Sequence, residues 1–138
     1  MSDLHNIKLG QLGEKIAADY LQKNGYRIVS KNLHVSRNEI DIIAENSNFL
    51  VFVEVKTRSV AYQESSAYGS PGRAVNYKKR SNTVQAAKAY LMSNYTDKQP
   101  RIDVIEVYMK ERGDNSISPQ ILSINHIRDA FDNKGRKR

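Results

Sequence analysis

The stretch Asn38-Glu39-Ile40-Asp41-Ile42-Ile43-Ala44-Glu45-Asn46-Ser47-Asn48-Phe49-Leu50-Val51-Phe52-Val53-Glu54-Val55-Lys56-Thr57 decides the fold. Its opening alternates Ile40, Ile42 and Ala44 against Glu39, Asp41 and Ile43, and its second half is dense in Val and Phe, residues that favour half-buried pleated backbone. Glu45 to Asn48 is a polar turn between them. Two strands joined this closely form a hairpin. With Ser47-Asn48 at its tip, directly opposed residues carry numbers that sum to 95. Asp41 then falls opposite Glu54, and Glu39 opposite Lys56. Side chains alternate faces along a strand, so Glu39, Asp41, Glu54 and Lys56 are expected on one face. Ile40, Ile42, Val51, Val53 and Val55 are expected on the other. A slip of one residue would separate the two acids.

Like charges facing each other across a ladder repel, and something must compensate them. On an isolated strand an E-x-K pattern is most often just an ion-paired, water-facing surface. Here an acid also precedes it by the length of a hairpin, on a basic chain, and this favours a bound cation. A hard cation such as Mg²⁺ takes oxygen ligands at about 2.1 Å, with one or two carboxylates completed by water and substrate phosphate. Asp41 and Glu54 suit that role for Mg²⁺ or Mn²⁺, with the Val55 carbonyl as a third ligand. Lys56, two residues beyond Glu54, could orient or activate an attacking water and offset charge on the phosphate.

Outward from the hairpin, Leu9, Leu12, Ile16, Ala17, Tyr20 and Leu21 recur at helical spacing from Ile7 to about Asn24, and Asn24-Gly25 is a stop signal. Glu14 lies at the edge of that stripe, where a carboxylate can either bound the core or look into the same cleft. Tyr26 to Ser30 reads as a short strand. Arg58 to Gly72 has no period and reads as a loop. A second helix is expected over Tyr77 to Asn94, with Val84, Ala87 and Leu91 inward and Lys88 outward. Arg101 to Met109 is β-branched enough for a fourth strand, Glu111 to Pro119 is a loop, and Gln120 to Ile124 is a candidate fifth, short strand. Ile127 to Phe131 reads as a helical turn. The fold class is therefore α/β: one domain over residues 1–128, a mixed sheet flanked by helices in the order α-β-β-β-α-β, followed by a basic, disordered tail over 129–138.

The 138-residue chain is large enough for one hydrophobic core. Its net charge of +7 favours polyanionic partners, since basic groups near phosphates release condensed counterions. The final ten residues hold four basic and two acidic side chains, so most of the excess belongs to the body. Lys78-Lys79-Arg80 at the head of the second helix, with Arg58 and Arg73 before it, could hold a phosphodiester backbone, and Tyr68 and Tyr77 could stack on bases. The lack of cysteine excludes disulfides, a thiol nucleophile and Cys-ligated zinc. His5, His34 and His126 have no metal-like spacing, and no phosphate-cradling glycine loop is present. The first residues lack the pattern of a secretory signal, and no apolar run approaches membrane-spanning length, so a cytoplasmic location is expected.

Three stretches carry a family resemblance: Gly10-Gln11-Leu12-Gly13-Glu14-Lys15-Ile16-Ala17, Glu39-Ile40-Asp41-Ile42-Ile43, and Val51-Phe52-Val53-Glu54-Val55-Lys56-Thr57-Arg58. Lys79, Ala87 through Leu91, and Arg101-Ile102-Asp103-Val104 extend it, so it spans about residues 7 to 109. With these residues the chain resembles the YraN family of small bacterial proteins, which is similar to the archaeal Holliday-junction resolvases of the PD-(D/E)xK nuclease superfamily. The resemblance implies a restriction-endonuclease-like core with metal on Asp41 and Glu54, a catalytic Lys56, and Glu14 contributing from the first helix. It also implies DNA as the partner, with branched or single-stranded repair and recombination intermediates as substrates, and a homodimer by analogy with enzymes that cut two strands. A nuclease fold retained as a non-catalytic nucleic-acid-binding module is the alternative. One departure stands out: the family usually has Gly before the Glu-Ile-Asp stretch, where this chain has Asn38, a residue that tolerates positive φ.

Overall fold

The computed structural model describes residues 3–60, 77–110 and 119–138. Helix α1 (Asp3–Lys23) leads into strands β1 (Arg27–Val35), β2 (Asn38–Glu45) and β3 (Phe49–Val60). Helix α2 (Tyr77–Ser93), β4 (Gln99–Lys110) and β5 (Gln120–Ile127) follow. The α/β order is that expected from the sequence, with β5 a full member of the sheet and longer than its composition implied. Expected loops around Gly72 and Glu111 fall largely outside the described residues, although Arg58 to Val60 belong to β3.

The five strands lie in the order β1-β2-β3-β4-β5. β3 and β4 pair in parallel and the other neighbours are antiparallel. A parallel pair needs a crossover connection, and α2 lies in it. The two helices cover opposite faces. Ala17, Ala18 and Leu21 of α1 pack on Ile42, Ala44, Val51, Val53, Ile105 and Val107. Ala86 and Ala87 of α2, with Tyr90 and Leu91 beside them, pack on Ile40, Ile43, Leu50 and Phe52. Lys88 is exposed, as its place on the helical wheel requires.

Helix α1 ends as the Asn24-Gly25 pair foretold. Gly25 takes φ +89, the Gly25 amide donates to the Gln22 carbonyl and the Tyr26 amide donates to the Leu21 carbonyl, a Schellman arrangement that satisfies two terminal carbonyls. The β1–β2 turn differs from expectation. The left-handed residue there is Ser36 (φ 60), and Asn38 instead pairs with Val35 as the first residue of β2.

The C-terminal segment corrects the expectation of a disordered tail. The Ala130 amide donates to the Ile102 carbonyl at 2.7 Å, Ala130 and Phe131 are buried against Val104, and Phe131 bridges Lys137. Asp132 accepts the amides of Lys134 and Arg136 and folds the chain back. The expected helical turn at Ile127 to Phe131 is absent, and β5 runs to Ile127. Composition pointed to disorder because six of the last ten residues are charged, yet the buried Ala-Phe pair and the hydrogen bonds around it seat the segment.

A buried polar knot ties α1, β4 and β5 together. Asp103, fully enclosed, accepts Arg101 Nε and Nη2 at 2.8 Å each, the Asp129 amide at 3.0 Å, and pairs with His126 Nε2 at 2.6 Å. His126 Nδ1 in turn meets the Tyr20 hydroxyl at 3.0 Å, and Arg101 donates to the Tyr26 hydroxyl at 2.6 Å. Burial opposes ionisation of Asp103, but the bonds from His126, Arg101 and the Asp129 amide outweigh it and hold the carboxyl below its ordinary range. Asp103→Ala strands a buried guanidinium and is expected to cost about 3–5 kcal/mol in denaturant unfolding. Asp103→Asn, which keeps volume and part of the bonding, is expected to lose less. A loss below about 1 kcal/mol in the alanine variant would contradict this role.

Candidate functional site

The β2–β3 ladder holds the expected register, pairing Ile42 with Val53, Ile43 with Phe52, Ala44 with Val51 and Glu45 with Leu50. It ends at Ile42–Val53, one step before the two acids. There the Val55 amide donates to the Asp41 carboxylate, Oδ2, at 2.8 Å, so a side chain takes a main-chain donor at the strand's edge. Strict alternation also fails at this point. Ile42 packs under α1, whereas Ile40 joins the cluster under α2. Ile40 was expected to share a face with Ile42, Val51 and Val53, but it lies past the end of the β2–β3 ladder and packs on the other side. On β1, the paired residues step from Lys31–Ile42 to Leu33–Ile40, and Asn32 between them has φ 51. Both strands are therefore irregular at the same level of the sheet.

The splayed ladder opens a cleft of about 670 Å³ lined by Leu9, Gly10, Glu14, Asp41, Glu54 and Val55 to Ser59. Three of the four residues expected to carry chemistry lie on the hairpin, and Glu14 enters from α1. All four line this one cleft. Gly13 allows that approach: a Cβ there would overlap Thr57 Oγ1 and sit 3.0 Å from Thr57 Cβ, closer than nearly all real contacts. The small residue lets α1 lie against β3 beside Lys56. Gly13→Ala is expected to push the helix outward and cost about 1–3 kcal/mol of stability by overpacking. A thermal melt tests this, and an unchanged midpoint would show that the contact has slack.

Glu54 is buried, with 5% of its side chain exposed, and its Oε1 lies 3.3 Å from Lys79 Nζ. Burial, then the Asp41 charge, pushes its pKa up to about 7, against the pull of Lys79 and Lys56. Asp41 is also raised, chiefly by burial, with the Val55 amide and Lys79 opposing. Glu14 is raised by burial and by Asp41, and a hydrogen bond from the Asn32 side chain works the other way. Three carboxyls that burial and their neighbours push toward the protonated form line one opening. Among the described residues no group of three or more His, Asp or Glu could hold a metal ion by itself. The donor set that fits a divalent ion is the two-carboxylate kind: Asp41 and Glu54 with the Val55 carbonyl, leaving the remaining positions to water and phosphate.

The basic residues separate into different roles. Arg58 lines the cleft and Lys78 is exposed at the head of α2. Lys79, expected on a phosphodiester backbone, is instead paired with Glu54. Arg80, expected there too, donates Nε to the Gly135 carbonyl at 2.8 Å and lies over the Tyr77 and Phe131 rings, so it anchors the C-terminal segment. Arg73 and Tyr68 lie outside the described residues. Two residues near the site were missed in the sequence reading. Asn32 reaches Glu14 only because of its left-handed backbone. Glu106 is buried beside Lys56 in the β3–β4 register, with Oε1 bound by Asn125 and Oε2 without a partner in the described structure. An acid in the middle of the β-branched Arg101–Met109 run was the available hint.

What fold and cleft define together is a small α/β protein with a buried and a half-buried carboxylate, Glu54 and Asp41, where a hairpin ladder ends. The chain belongs to the uncharacterised protein family UPF0102, whose model matches residues 13–107. It is 42% identical to a UPF0102 protein of Caldanaerobacter subterraneus over 132 residues, covering 95% of this chain and all of that one. It is 43% identical to a member from Alkaliphilus oremlandii over 129 residues, covering 91% and 99%, and 42% identical to one from Chlorobium phaeobacteroides over 131 residues, covering 94% and 96%. No helix among the described residues is long and apolar enough to cross a membrane.

The raised Glu54 sets a stability profile. The folded chain keeps a proton that the unfolded chain has released above about pH 4.5, so stability falls as pH rises from there to about 7 and is level beyond. At 1.36 kcal/mol per unit the fall is on the order of 3 kcal/mol. In metal-free buffer, Glu54→Gln is expected to remove most of that slope. Parallel stability-versus-pH curves for parent and variant would disprove the assignment.

Proposed function

We propose that this chain is a metal-dependent DNA endonuclease that hydrolyses phosphodiester bonds, acting with Mg²⁺ or Mn²⁺ on branched or single-stranded intermediates of repair and recombination. The observation that carries the reading is the Asp41–Glu54 pair, Glu54 buried and Asp41 half-buried, in an open cleft also lined by Lys56 and Arg58. A divalent ion bound by Asp41, Glu54 and the Val55 carbonyl would supply a water of lowered pKa and a counter-charge for the phosphate.

The chain's own groups do the positioning. The Val55 amide holds one Asp41 oxygen in place, and Asp41 lines the cleft. Lys56 follows Glu54 on β3 and lines the same opening, where its ammonium orients the attacking water and offsets charge building on the phosphate oxygens. Glu14, on the α1 side, is a carboxyl whose raised pKa suits it to exchange a proton with that water. Arg58, which lines the cleft, and Lys78, exposed at the head of α2, would hold the DNA backbone. Two subunits acting as a homodimer would suit cleavage of paired strands.

A second reading is favoured by one contact. Lys79 already neutralises part of the acid pair, as it would in a nucleic-acid-binding module that does not cut. Labelled branched, nicked and linear DNAs incubated with Mg²⁺ or Mn²⁺ separate the two. Cleavage is expected in the parent, to fall more than about 100-fold in Asp41→Ala, Glu54→Ala and Lys56→Ala, with binding retained. Salt-sensitive binding without cleavage under every metal would establish the module instead. Undiminished cleavage in the three variants would place the chemistry elsewhere.

A further inference from the structure

We propose that Lys79 is the resident counter-cation of the Asp41–Glu54 pair, exchanged for a divalent ion when one binds, and that its displaced ammonium then takes a phosphate of the DNA. The inference rests on the metal-site reading above and goes beyond it by assigning a role to a residue on α2.

The geometry of the pair is asymmetric. Glu54 is the enclosed partner, with 5% of its side chain exposed, whereas Lys79 is 43% exposed. The carboxylate is therefore the fixed end and the ammonium the movable one. The backbone under Lys79 is held, because its carbonyl accepts the Thr83 hydroxyl at 3.0 Å within α2. Only the four-carbon stem has to swing, and a lysine is a compact point charge on such a stem. Lys79 also acts on both acids, and on each of them more strongly than Lys56, even though Lys56 shares a strand with Glu54.

A divalent ion bound to Glu54 would sit next to the place that this ammonium now fills. Two cations at that separation in a partly buried site repel too strongly to share the carboxylate. One must leave, and the ammonium has water to move into. The side chain is already 43% exposed, so its direction of escape is toward solvent. Metal entry thus arms a phosphate contact that is masked while the site is empty of metal.

Calorimetric titration of the full chain with Mn²⁺ at pH 8.0, without DNA, tests the exchange. Lys79→Met is expected to bind Mn²⁺ about tenfold more tightly than the parent, since no resident cation has to be displaced. Lys79→Arg keeps the charge and is expected to stay near the parent, which guards against a general effect of substitution on folding. With Mn²⁺ bound, Lys79→Met is expected to hold a short DNA duplex about tenfold more weakly than the parent. Mn²⁺ binding by Lys79→Met no tighter than by the parent would overturn the exchange while leaving the metal site intact. Unchanged duplex binding would overturn the phosphate contact. Absence of Mn²⁺ binding in the parent and in every variant would overturn the metal-site reading itself, and the exchange with it.

Discussion

The hydrogen bond from the Val55 amide to the Asp41 carboxylate is the contact on which the candidate site depends. An antiparallel ladder left to itself would keep pairing main chain with main chain, and the two acids would be pressed together across it. Here the ladder stops at Ile42–Val53 and a carboxylate oxygen takes up the amide. A buried donor is satisfied, one acid is fixed in orientation, and the strands part enough to admit a ligand. Ile40, past that break, packs on the α2 side of the sheet, so the irregularity is also built into the core.

Around that break the structure concentrates charge that burial disfavours. Glu54, Asp41 and Glu14 all resist ionisation, and the opposing lysines, Lys31, Lys56 and Lys79, come from three different elements. The contrast with Asp103 is instructive. That carboxyl is enclosed more fully still, yet it is held charged because Arg101, His126 and a main-chain amide converge on it. One buried acid is saturated with donors and serves as a fastening. The other pair is left under-satisfied and open to the cleft, which is the condition expected of groups that bind something.

The basic surface also divides on inspection of contacts. A run of Lys78-Lys79-Arg80 looks uniform, but the three side chains have different partners: water for Lys78, Glu54 for Lys79, and the C-terminal segment with two aromatic rings for Arg80. Net charge describes how the molecule attracts a polyanion at a distance. It does not say which cations remain available to touch one.

Much of the architecture was legible in the sequence because the signals are local. Turn length and alternation set the hairpin register that brings Asp41 level with Glu54, the helical stripes on α1 and α2 chose their buried faces, and Asn24-Gly25 marked the end of α1. Four candidate residues, Glu14, Asp41, Glu54 and Lys56, followed from the same patterns and from family resemblance, and they line one cleft. Tertiary structure alone decided the rest. Whether β2 stays paired at Asp41, which lysine of α2 reaches Glu54, how Asn32 meets Glu14, and that Ala130 and Phe131 seat the last segment all depend on how distant elements dock. Periodicity reports which face of an element is buried. It carries no information on what approaches that face from elsewhere in the chain, because those contacts are set by packing across the whole sheet.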